Sequence, residues 1–185
     1  GENPWYQMTG KTMHVLWMEY CNSIGYGTEQ FENVHMIETK QKGKVKIDLI
    51  GDINFDKDWC TMETAERALG VEYCISESIQ KELQDADLTV VNNEFVYSNR
   101  GEPIEGKSYT FRADPEDVKY LELFGADIVS LANNHVFDYG EDAFLDTLDT
   151  LKEAGYVTLG GGRDLEEASA IHYYIAAGRK IAFVA

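Results

Sequence analysis

Basic side chains are scarce in this chain: 16 Lys and Arg stand against 33 Asp and Glu, for a net charge of -17. Phosphate backbones are bound through clustered Lys and Arg, so this balance excludes a nucleic-acid partner. An anionic substrate would meet long-range repulsion unless a metal or a local basic patch reversed it. Cysteine is equally sparse, and Cys21, Cys60 and Cys74 include no close pair of the kind that holds zinc. They read as buried free thiols, with a Cys60–Cys74 bridge as the alternative in an oxidising compartment. No run of about 18 apolar residues is present to span a membrane. The apolar patch over residues 13–18 is short and contains His14, unlike a signal peptide. What is there, 185 residues at 44% hydrophobic and 12% aromatic content, suffices for one domain with a real core.

Residues 1–43 carry no recognisable chemistry. Residues 13–20 and 31–39 read as strands, and 22–28 as a loop around Gly25 and Gly27. His14 and His35 lack the carboxylate-rich neighbours of a metal site and read as structural or surface residues. From Lys44 the pattern changes to repeated strand, loop and helix. Residues 45–50 form a strand candidate ending at Gly51 and Asp52, with Ile53 and Asn54 after it. A helix lies within 61–84, with Ser76 a candidate N-cap and Ile79 and Leu83 on one face. The apolar run 88–91 ends in Asn92, Asn93 and Glu94. Residues 97–113, with Gly101, Pro103 and Gly106, read as an excursion. Lys107 and Arg112 are the rare basic residues near the supposed site, with solvated loop positions as the plainer reading.

Asp114 then caps a helix with Pro115 at its first position, Val118, Leu121 and Phe124 on its buried face, and Gly125 as its stop. After the short apolar run 128–131 comes LANNHVFDYG, residues 131–140. Phe144, Leu148 and Leu151 recur at helix spacing, and Gly155 ends that helix. Residues 156–159 are the next strand, running into Gly160, Gly161 and Gly162. A short helix over 165–170 precedes a hairpin of 173–176 and 180–184 about Gly178. Alternating strands and helices predict an α/β fold with a largely parallel sheet and right-handed crossovers.

Three successive strands each deliver hard ligands at their carboxyl ends: Asp52 with Asn54, Asn93 with Glu94, and Asn134 with His135. Parallel strands bring those ends to one rim, where open α/β sheets bind ligands, although roughly 40 positions separate the groups. Carboxylate, amide and imidazole together suit a divalent cation of the Mn²⁺, Mg²⁺ or Fe type better than a thiolate zinc site. Each group also has a plain reading. Asn133, Asn134 and Asp138 are common turn and helix-cap residues.

The run Asn92-Asn93-Glu94, the LANNHVFDYG stretch, the LDTLDTLKEAG helix and the following GGGRDLEEA resemble bacterial capsule-synthesis proteins of the CapA type, associated with poly-γ-glutamate synthesis. The resemblance covers residues 45–185. That family is similar to the calcineurin-like metallophosphoesterases, which implies their α/β sandwich and a cell-surface location in a bacterium. It also implies a divalent metal centre, Mn²⁺ or similar, with two ions in the complete protein. By resemblance, Asp52 takes the place of the first metal-binding aspartate, and Asn54 that of a histidine. Glu94, beside Asn93, takes the place of the aspartate that bridges two metals. Asn134 matches the metal-binding asparagine, and His135 the histidine that protonates or stabilises a leaving oxygen. Asn133, Asp138 and Arg112 are supporting or substrate-facing candidates.

The later histidines that complete the metal sphere in related chains have no counterpart here, and His172 lies in a Tyr-rich strand pattern. The expectation is therefore the amino-terminal half of the fold, preceded by an added segment over 1–43. It would offer an incomplete half-site and an unprotected sheet edge, open to another chain or to the carboxyl-terminal half. Three functions stay open. One is a metal-dependent phosphoesterase-like enzyme acting on a phosphoester or an anionic polymer, and another a non-catalytic scaffold that holds polymer. The third is a phosphate or nucleotide binder using Gly160 to Gly162.

Overall fold

The computed structural model describes residues 33–59 and 70–185, with positions 15, 16, 19, 20, 23 and 62. In chain order the elements are β1 (Val34–Met36), β2 (Ile47–Ile53), a 3₁₀ turn (Val71–Cys74), α1 (Glu77–Gln84), β3 (Leu88–Asn93), β4 (Val96–Tyr97) and β5 (Arg112–Ala113). A longer 3₁₀ helix (Pro115–Phe124), β6 (Ile128–Ser130), α2 (Gly140–Glu153), β7 (Val157–Leu159), α3 (Leu165–Ala168), β8 (His172–Ala176) and β9 (Arg179–Phe183) complete them. The chain divides into two units, Ile47–Ser169 with Ala185, and Gly1–Lys46 with Ala170–Val184.

The first unit is built on a four-stranded sheet in the order β2, β3, β6, β7, every pair parallel. The mixed α/β architecture with a parallel sheet agrees with the sequence pattern. Val91, Ile128 and Val129 are wholly buried, as the continuous apolar runs of a covered parallel sheet require. Helix α2 packs beside β4 and β7. Its Ala143, Phe144, Thr147, Leu148 and Leu151 form one buried stripe at helical spacing. Full burial of each large apolar side chain stabilises by roughly 1.5–3 kcal/mol.

Four local expectations are corrected or sharpened here. Strand β2 does not end before Asp52. A register irregularity between Leu49 and Asp52 carries the pairing on, so that Asp52 lies opposite Asn92 and Ile53 opposite Asn93. The segment after Asp114 is 3₁₀ rather than α, and Val118, Leu121 and Phe124 already carried the reason. Their spacing of three matches three residues per turn. Asp114 accepts from the Glu116 amide, and Gly125 closes the helix at φ 58°, in the left-handed region that favours glycine. In α1, Ser76 is the N-cap, but Ile79 is exposed and no residue is buried. With Ile79 and Leu83 its only large apolar residues, the helix has too little surface to bury. Finally, the 97–113 excursion is pinned at both ends, because β4 and β5 pair in parallel and Val96, Tyr97 and Ala113 are buried.

In the second unit, β1 pairs in parallel with β8, Val34 opposite Tyr173, and β8 and β9 form the expected antiparallel hairpin. Ala177 and Gly178 both have positive φ, 47° and 75°, as a two-residue hairpin turn demands. His35 and His172 stack with ring nitrogens 3.1 Å apart, and Tyr174 stacks on His35. Val15, Leu16, Glu19 and Tyr20 are helical, not extended. A short apolar run does not distinguish strand from helix by periodicity. Ser23 is helical too, within the stretch read as a loop. His14, Cys21, Cys60 and the rest of 22–28 lie outside the described residues. Cys74 is a free thiol and exposed rather than buried.

Candidate functional site at the strand ends

Because β2, β3 and β6 are adjacent and parallel, their carboxyl ends form one rim. A line of hydrogen bonds crosses it. The Asn92 amide donates to Asp52 Oδ1 at 2.7 Å. Asn133 Nδ2 donates to Asn92 Oδ1 at 3.1 Å and to the Asn93 carbonyl at 3.0 Å. The His135 backbone N–H then donates to Asn133 Oδ1 at 3.0 Å. Asn133 is thus the joint between two strand ends and the His135 turn, and the sequence reading gave it only a supporting part.

The second half of the site is ionic and largely buried. Asp138 accepts from Lys107 Nζ at 2.5 Å through Oδ1, and from the Phe111 amide at 2.8 Å through Oδ2. His135 Nδ1 lies 2.7 Å from the same Oδ2. Lys107 also donates to the Asn134 carbonyl at 2.6 Å. Phe111 packs its ring on His135 at 4.5 Å between centroids. Asp138 has no exposed side-chain surface and His135 has 11%. A buried carboxylate is stable only when paired and hydrogen-bonded, and this one has three donors.

The remaining candidates are less gathered. Asn54 Oδ1 accepts from the Asp56 amide at 2.8 Å, a local turn that occupies the oxygen expected to face a metal. Glu94 is held by its backbone N–H to the Ile53 carbonyl, and no hydrogen bond or ion pair engages its carboxylate among the described residues. Asn134 is exposed. Asn93 is buried with its Nδ2 on the Phe95 carbonyl, while its Oδ1 has no partner. Arg112 is not joined to His135 or Asp138. Its guanidinium donates to the carbonyls of Arg100 and Gly101 and lies 3.6 Å from the Tyr139 ring centroid.

Among the described residues, no three His, Cys, Asp or Glu side chains gather into a ready metal centre. The oxygen donors at these strand ends, the carboxylates of Asp52 and Glu94 and the asparagine amides, are a hard set. Asn93 Oδ1, buried and unpartnered, lies one residue along β3 from Asn92, the residue opposite Asp52.

Lys107 is the residue whose tie to Asp138 the sequence reading did not anticipate. It reads as a solvated loop position, yet it is 27% exposed and ion-paired with Asp138, 31 residues away. Its one signal was being a cation in an acidic chain.

Residues 46–185 match the family of bacterial capsule synthesis proteins, PGA_cap. The chain belongs to that family. Among curated relatives, a Mycobacterium tuberculosis protein named "Probable polyglutamine synthesis accessory protein" is 33% identical over 79 residues, which cover 43% of this chain and 21% of that protein. The capsule biosynthesis protein CapA of Bacillus anthracis is 25% identical over 157 residues, covering 83% of this chain and 37% of CapA. The chain thus aligns with well under half the length of either relative. The strand-end rim and the His135 motif both fall inside the span that defines this PGA_cap chain. Among the described residues no helix is long and apolar enough to cross a membrane.

Proposed function

We propose that this PGA_cap chain contributes a phosphoesterase-like site to capsule or polyglutamate synthesis in the bacterial cell envelope. The observation that carries the reading is the continuous hydrogen-bonded line from Asp52 to the His135 turn, which sets a carboxylate and a buttressed imidazole on one rim. A metallophosphoesterase-like α/β fold is part of the reading, supported by the parallel sheet and the family.

In this reading Asp52 and Glu94, with the amide oxygen of Asn134, would hold a hard divalent cation. Such a cation supplies electrophilic assistance to a phosphoryl oxygen and offsets the acidity of the chain toward an anionic substrate. His135 holds or releases a proton at the leaving oxygen through Nε2, since its Nδ1 faces Asp138. Asn133 keeps the His135 backbone in register with the strand ends.

The test is hydrolysis of a generic phosphodiester by the full-length protein with Mn²⁺, beside Asp52→Ala and His135→Ala. A positioned acid or base contributes about 10²–10⁴-fold, so His135→Ala should lose at least about 100-fold, and Asp52→Ala should lose the Mn²⁺-dependent turnover, while circular dichroism stays native in both. Undiminished turnover in both variants would sink the proposal. A second reading, a polymer-holding scaffold, is favoured by the Asn54 oxygen being engaged in its own turn. It requires metal-dependent binding of polyglutamate with no hydrolysis in the wild type.

A further inference from the structure

We infer that Lys107 is a positioning residue of the strand-end site: its ammonium fixes the Asp138 carboxylate and, through it, the orientation and protonated nitrogen of the His135 ring. The inference rests on the reading that this rim is the working site, and it adds how the imidazole is held.

The geometry divides the Asp138 carboxylate between two jobs. Oδ1 faces the Lys107 ammonium, and Oδ2 faces His135 Nδ1 and the Phe111 N–H. An ionised carboxylate only accepts, so the proton between Oδ2 and Nδ1 at 2.7 Å belongs to the imidazole. Lys107 Nζ, 3.3 Å from the same nitrogen, is therefore a neighbouring charge and not a donor to it. This leaves Nε2 as the unprotonated nitrogen of the neutral ring. Without Lys107, Oδ1 would be a buried anionic oxygen with no donor, and the carboxylate would be free to turn away from the ring.

Backbone bonds bring the lysine to this place. The Ile104 N–H donates to the Asp138 carbonyl at 2.8 Å, and the Phe111 N–H reaches its side chain, so the excursion is tethered on both sides of Lys107. Gly106 at φ 81° supplies the turn between them. Two of the ammonium's donors are engaged by Asp138 and by the carbonyl of Asn134, the residue just before His135. A lysine bonded to the residue before His135 and to the carboxylate that faces its ring braces the imidazole more than it recruits an anion.

The test is a long-range ¹H–¹⁵N correlation spectrum of the histidine side chains, recorded above the imidazole titration range on the full-length protein and its Lys107→Met variant. His135→Gln assigns the signal. In the wild type the His135 ring should appear neutral with the proton on Nδ1. In Lys107→Met it should shift to the Nε2-protonated or averaged form. A wild-type ring protonated on Nε2 overturns the inference, and that spectrum needs no variant to fold. An Nδ1-protonated ring unchanged in a folded Lys107→Met overturns it too. No substrate is involved. The expected spectra without hydrolysis would sink the phosphoesterase reading and keep the brace, whereas hydrolysis with an unchanged ring would do the reverse.

Discussion

Replacing Asp138 by Asn tests whether the buried ionic group holds this part of the fold. The side chain keeps its shape, but one accepting oxygen becomes an NH₂. If the amide oxygen stays toward His135 and the Phe111 N–H, the NH₂ meets the Lys107 ammonium, donor against donor. If the amide turns over, the NH₂ meets the other two. Either way at least one charge-assisted bond is lost, worth about 1.5–3 kcal/mol. Removing one partner of a buried pair costs about 3–5 kcal/mol. Lys107 keeps 27% of its side chain in water and can partly resolvate, so the expected loss is about 2–4 kcal/mol. Urea denaturation followed by circular dichroism reads it as a lower midpoint at unchanged slope. A loss below about 1 kcal/mol would refute the reasoning, since the carboxylate would then be acting like an exposed ion pair.

Three further expectations concern other parts of the chain. Leu151→Ala empties a wholly buried position on α2 and should cost about 2–5 kcal/mol in the same assay. Gly101→Ala puts a Cβ 2.0 Å from the Tyr139 carbonyl oxygen at φ 79°; it should lower the thermal midpoint by more than the roughly 1–2 kcal/mol of left-handed strain alone, and an unchanged midpoint would contradict the loop geometry. Burial holds His35 and His172 below the ordinary imidazole value of 6.5, and for His35 the neighbouring His172 adds to the effect. The unfolded chain then binds more protons in that window, so this stabilisation is complete above about pH 6.5 and drains as pH falls toward the lowered values. Denaturation midpoints between about pH 5 and 8 should show a slope that His172→Phe reduces, and equal slopes would count against it.

Much of the candidate site was legible because it is written locally. The apolar runs ending in Asp52, Asn93 and Asn134 gave three strand ends on one rim, and Asp114, Pro115 and Gly125 marked a helix by its caps. Other features depend on geometry that no spacing encodes. The register irregularity in β2 decides that Asp52 sits inside the strand, opposite Asn92. The turn at Asn54 engages its oxygen with the Asp56 amide, and a polar loop lysine reaches a carboxylate 31 positions away. Between two adjacent asparagines, the sequence offers no means of choosing Asn133 as the joint. Only the neighbouring strand's Asn92 makes that choice.

The line from Asp52 to His135 has a sense of direction. A carboxylate at its start can only accept, so Asn92 must turn its NH₂ toward Asp52 and its oxygen toward Asn133. Asn133 must in turn aim its NH₂ back and its oxygen at the His135 amide. One fixed charge therefore removes the amide-flip ambiguity from every later member and aligns their dipoles head to tail. Asn92→Asp, a change of one atom, would set acceptor against acceptor at Asp52 and interrupt the polarity at its first step. Neutralising Asp52, by a proton or a cation, would be felt along the line as a weaker hold on the His135 backbone.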